Sequence, residues 1–121
     1  MAVRSVTLAP LTTFGDTNFM LATWAGLTKT TDDTGAPIEI PGKHIRSVQV
    51  TGTPGTGGTL VIEGSNDGTT YATLGDNQGT AVSFTAAGLK SIGTVPRYIR
   101  PRVSAGDVTT SFGVVLLAGK P

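Results

Sequence analysis

From His44 onward the chain alternates apolar and polar residues in short blocks, and nearly every block ends in a turn signal. Alternation of period two sends successive side chains to opposite faces of a strand. It predicts strands near residues 45–52, 59–64, 69–74, 81–85, 89–94, 98–104 and 111–118. Gly52-Thr53-Pro54-Gly55-Thr56-Gly57-Gly58 joins the first pair, and Ser65-Asn66-Asp67-Gly68 joins the next with the chemistry of a tight turn. Short strands at intervals of about eight to twelve residues point to a sandwich or barrel. Leu60, Ile62, Ile99, Val103, Phe112, Val114 and Leu116 are expected to face inward, with Glu63, Arg100, Arg102 and Gly113 outward. The last strand is apolar on both faces, because Val115 and Leu117 alternate with its core set. Its outer face is therefore expected to be covered by the N-terminal region or by a second chain.

The first part of the chain is less regular. Residues 3–8 read as a strand closed by Pro10, and Phe14-Gly15-Asp16-Thr17 as a loop. Residues 18–24 read as a second strand, although the adjoining Phe19, Met20 and Leu21 leave a short helical turn open. Lys29-Thr30-Thr31-Asp32-Asp33-Thr34-Gly35 reads as an exposed loop, and Pro37-Ile38-Glu39-Ile40-Pro41 as a short edge strand bracketed by prolines. The expected architecture is an all-β, antiparallel, jelly-roll-like sandwich over residues 43–121. Residues 1–42 are expected as an extended arm, packing on that sandwich or on a neighbouring subunit.

Composition narrows the class. A length of 121 residues suits one domain. Charged residues make up only 14%, and the 17 glycines favour tight turns over helices. Nine basic residues against eight acidic ones leave a formal charge of +1, too weak a field to imply nucleic acid or an anionic membrane as partner. The absence of cysteine removes disulfide frameworks, thiolate metal sites and cysteine nucleophiles together. No apolar run is long enough to span a bilayer, and the first residues lack a secretory pattern, so the chain is expected to be made in the cytoplasm.

Candidate chemistry is sparse. His44 is the single histidine, and most carboxylates sit where Asp is favoured in turns, so no catalytic constellation, cofactor or metal site is expected. Asp32-Asp33, Asn66-Asp67 and Asp76-Asn77 offer oxygen ligands of the kind calcium takes, but in no EF-hand spacing, and turn formation accounts for them. The densest positive charge is Arg97-Tyr98-Ile99-Arg100-Pro101-Arg102. On a strand, Tyr98, Arg100 and Arg102 share one face, a cationic and aromatic stripe able to pair carboxylates. Three readings compete for it: a face paired within the chain, a protein interface, and a single-stranded nucleic acid site. The low net charge disfavours the last. Trp24, the one tryptophan, reads either as an interface anchor or as core.

Residues 61–74, Val-Ile-Glu-Gly-Ser-Asn-Asp-Gly-Thr-Thr-Tyr-Ala-Thr-Leu, resemble a hairpin of discoidin-like jelly rolls. A wider resemblance runs over about residues 20–118. It is carried by Thr23-Trp24-Ala25-Gly26-Leu27, Asp33-Thr34-Gly35-Ala36-Pro37, Arg46-Ser47-Val48-Gln49-Val50-Thr51-Gly52, the Gly64-Ser65-Asn66-Asp67-Gly68 turn, Phe84-Thr85-Ala86-Ala87-Gly88 and Val95-Pro96-Arg97-Tyr98-Ile99-Arg100-Pro101. In that order they resemble small structural proteins of tailed bacteriophages, above all capsid decoration or cement proteins. The resemblance implies a virion protein on the outer capsid surface, bound to the major capsid protein across subunit boundaries and without catalysis. It also implies a homo-oligomer, a trimer before a dimer. Interface candidates are then Trp24, Arg97, Tyr98, Arg100 and Arg102. The alternatives are a glycan-binding module on a phage head or tail fibre, with Tyr71, Trp24 or Tyr98 stacking on sugars, and a tail structural component.

Overall fold

In a computed structural model that describes residues 2–11, 19–40 and 42–119, the alternating segments become strands. They are β1 (Val3–Arg4), β2 (Val6–Pro10), β3 (Phe19–Thr28), β4 (Thr34–Gly35), β5 (Ile38–Glu39) and β6 (Ile45–Thr53), followed by β7 (Thr59–Ser65), β8 (Ala72–Thr73), β9 (Ser83–Phe84), β10 (Gly88–Ser91), β11 (Tyr98–Ala105) and β12 (Ser111–Gly119). They form two sheets packed face to face as a sandwich, with no helix among the described residues. One sheet runs β1-β4-β11-β7-β8, with β5 also on β11 and β9 also on β7. The other runs β10-β6-β12-β3-β2. Apart from the parallel β1–β4 pair, the strand pairings are antiparallel.

Period-two alternation places the core as expected. Leu60, Ile62, Ile99, Val103, Phe112, Val114 and Leu116 are each at most 2% exposed, and they meet Leu27, Val48, Val50 and Trp24 between the sheets. Burying one such side chain is worth roughly 1.5–3 kcal/mol. β7 departs from simple alternation, because Leu60 through Ser65 are all buried. Its inner side chains enter the core, while its outer ones are roofed by polar partners described below. Gly64 fits there because a Cβ would lie 2.4 Å from Pro96 Cγ.

The expected arm is instead part of the sandwich. β3 is ten residues long and lies between β12 and β2, with Ala22 and Trp24 each 1% exposed. β1 belongs to one sheet and β2 to the other, so the chain crosses between them at Ser5. The boundary at residues 42 and 43 therefore divides no two structural units. The expected loop at residues 14–17 and Pro41 lie outside the described residues.

The expected exposed loop over residues 29–35 holds at Thr30, Thr31 and Asp32 and is corrected at its end, since Asp33 and Thr34 are fully buried. The cause is a clasp on the Asp33 carboxylate. Its Oδ2 accepts hydrogen bonds from Arg4 Nε at 2.6 Å and from the Thr28 backbone N–H at 2.9 Å, and its Oδ1 accepts one from the Thr31 hydroxyl. Burial alone would raise the pKa of this carboxyl. The donors from Thr31, Thr28 and Arg4 outweigh burial and hold it below the ordinary range.

Candidate functional site: the outer face of β11

β11 places Tyr98, Arg100 and Arg102 on the outer face of its sheet, as the sequence predicts, and the antiparallel register sets Glu63 of β7 directly opposite Arg100. Glu63 does not face solvent. It is 4% exposed and accepts from Arg100 Nε at 2.7 Å and from Arg102 Nε at 3.1 Å. The Arg100 guanidinium also stacks on the Tyr71 ring, 3.7 Å from its centroid. Arg97 pairs with Glu39 of β5, and its guanidinium lies 5.0 Å from the centre of the Tyr98 ring. The Glu39 carboxylate, by hydrogen bond and then by charge, raises the Arg97 pKa above its ordinary value.

Three guanidiniums and two carboxylates leave the face a single net positive charge. Of the readings open to the stripe, pairing within the chain engages each of its three guanidiniums through Nε. Arg102 is the more accessible of the two cations on Glu63, with its side chain 38% exposed against 20% for Arg100. Arg97, paired with Glu39, is more exposed still at 56%, so the face presents partly accessible guanidiniums suited to carboxylates. Replacement of Glu63 by Gln keeps the shape and removes the charge both arginines share. It should lower stability by about 1–2 kcal/mol in urea denaturation, the partly exposed Arg102 keeping the loss below that of a fully buried pair. Arg102→Gln should cost about 0.5 kcal/mol.

Trp24 is brought to none of this. Its indole is core, 1% exposed, and Nε1 donates to the Ala36 carbonyl at 3.0 Å, so it ties the two sheets together. Sequence reasoning missed Glu39, Glu63 and Tyr71 as members of the site. The available signal was Glu63 itself, a charge within the apolar run Leu60-Val61-Ile62.

The turn carboxylates use their oxygens locally. Asp67 accepts from the backbone N–H groups of Thr70 and Thr69, and Asp76 from those of Gln78 and Thr80. Asp107 accepts from the Thr109 hydroxyl and backbone, and from the Thr56 backbone N–H, which ties two loops together. Among the described residues no group of three or more His, Asp or Glu is placed to hold a metal ion.

These bonds pull the Asp67 and Asp107 carboxyls from an ordinary pKa of 3.8 to about 2. Unfolded, both titrate near the ordinary value, so between pH 4 and pH 2 the unfolded chain binds more protons than the folded one. Their contribution is complete above about pH 4 and is lost as the pH falls through about 2. Thermal melts should thus fall steeply below about pH 4, and Asp67→Asn should flatten part of that fall.

The fold and site define a two-sheet all-β sandwich with a self-paired charged face. The chain has the same fold as the SPBc2 prophage-derived protein YomS, at a TM-score of 0.61 and 12% identity, over 85% of this chain and 96% of that one. A cysteine peptidase, peruvianin-I from Thevetia peruviana latex, aligns at a TM-score of 0.45 and 12% identity, over 95% of this chain and 61% of that one. No protein-family model matches the chain, and no curated protein does.

Proposed function

We propose that the chain is a structural protein of a tailed-phage virion. In this reading it sits on the outer surface of the capsid, binds the major capsid protein across subunit boundaries and catalyses nothing. The observation that supports it most is the fold shared with a prophage-derived protein over nearly the whole of both chains. The ordered run of turn and strand motifs that resembles phage decoration proteins supports it independently. A face carrying one net charge also suits broad contact with a repeating surface, in which many modest contacts add up. The glycan-binding alternative is weakened because Trp24 is buried and Tyr71 and Tyr98 already stack against arginines.

Co-sedimentation tests the reading. Purified chain should pellet, saturably, with capsids assembled without it. Arg102→Gln should weaken that binding at a cost in stability of only about 0.5 kcal/mol, with Arg102 preferred over Arg100 because the latter is stacked against Tyr71. A chain that stays in the supernatant with capsids, or pellets only with tails, would overturn the assignment to the shell.

A further inference from the structure

The two outer faces of the sandwich differ in chemistry. On the β10-β6-β12-β3-β2 sheet the only charged residues within the strands are Arg46 and Lys90. Both fall at inward positions, Arg46 opposite the buried Ala118 and Lys90 opposite the buried Val48. The outward positions of these five strands therefore carry no charge. At their centre Leu21, Ser47, Gln49, Leu89, Val115 and Leu117 line an open groove of about 290 Å³. Leu89 is 69% exposed, a large apolar side chain at the groove's rim. An antiparallel sheet with one face on solvent normally carries charged residues among its polar ones, whereas the strands here offer outward polar residues such as Ser47 and Gln49 but no charge. The N-terminal strands do not cover the face, since β2 and β3 are part of the sheet itself.

We propose that this face is where two copies of the chain meet, sheet against sheet, about a two-fold axis near Val115. Contact of one patch with its own copy is isologous, so every group meets a symmetry mate or a neighbour's mate. A face without charge creates no like-charge clash when rotated onto itself. It also lacks the charges by which a distinct partner would be steered or selected. The position suits such an axis, because β12 is the middle strand of the five and Val115 is the middle residue of β12. Size agrees as well. Five strands about 4.8 Å apart and roughly 25 Å long project about 600 Å², close to the ~800 Å² of accessible surface that each partner gives to a standard interface. Stacked sheets lie about 10 Å apart, near enough for Leu21, Leu117 and Leu89 to interdigitate with their mates. The contact goes beyond the virion reading and does not depend on it. A pairing of this kind makes the assembly unit a dimer.

Because the chain contains no cysteine, single-cysteine variants report the geometry directly. Val115→Cys should be joined into a covalent dimer by a bismaleimide that spans about 10 Å. Thr73→Cys, on the outer face of the opposite sheet, should stay monomeric. Sedimentation velocity of the full chain should show a concentration-dependent dimer, and Val115→Lys should weaken it at least 100-fold. Leu89→Lys, at a position already exposed and so unable to disturb the core, should weaken it with an unchanged melting temperature. A wild-type chain monomeric at every accessible concentration would overturn the proposal, as would a dimer that survives both lysines. If the chain is monomeric and Val115→Lys abolishes capsid binding, the face belongs to the shell protein and the proposal is also overturned. Failure of capsid binding with an intact, lysine-sensitive dimer would count against the virion reading alone.

Discussion

Removal of residues 1–42 is expected to leave a chain that does not fold. The deletion takes away β1 to β5, and β3 is the interior strand hydrogen-bonded to β12 along nearly its whole length. The core loses Ala22, Trp24, Leu27, Ile38 and Ile40 at once. Each large buried side chain is worth a few kcal/mol, against a total of about 5–15 kcal/mol for a domain of ordinary stability. The remaining β12 would also present an unpaired apolar edge, which favours aggregation. Far-UV circular dichroism and a thermal melt of residues 43–121 should show no cooperative transition. A cooperative melt close to that of the whole chain would mean that the first 42 residues are an appendage after all. The same reasoning makes this deletion unsuitable as a test of capsid contact, because lost binding would report lost structure.

Trp24→Ala should produce the largest loss of any single substitution, about 3–5 kcal/mol, with a fall in melting temperature of roughly 10–20 °C. The indole fills the space between the sheets, and its Nε1 holds the Ala36 carbonyl at the start of the segment leading to β5. Gly35 is shaped around it, since a Cβ there would lie 2.5 Å from Trp24 Cδ1. Trp24→Phe retains most of the volume and loses the hydrogen bond, and should cost about 1–2 kcal/mol. Urea denaturation separates the two variants. A loss below about 1 kcal/mol for the alanine variant would contradict the placement of the indole in the core.

The sandwich and its inward residues were legible in the sequence wherever one face of a strand is apolar and the other polar. On β11 the inward Ile99 and Val103 alternate with the outward Tyr98, Arg100 and Arg102. β3 was harder to read for a physical reason. Its outward Leu21 and Phe19 are as apolar as its inward Met20, so the period-two signal weakens and leaves a short helical turn open beside the strand. The uncharged outer face of the sheet and the weak alternation of this strand are thus one fact. The charged face was legible as a stripe but not as a network. Glu63 lies 37 positions before Arg100, and Arg4 lies 29 before Asp33, so each pairing exists only once the strands are in register. The strand expected near residues 69–74 is present only as the short β8, because Asp67 draws the N–H groups of Thr69 and Thr70 into a turn where alternation predicts strand.

The proposed function puts this chain on the outer surface of a capsid. Cryo-electron microscopy of virions with and without the chain tests it most directly. The account predicts difference density of one small sandwich per copy on the outside of the shell, spanning neighbouring capsid subunits. Density confined to the tail, or no difference anywhere on the particle, would contradict it.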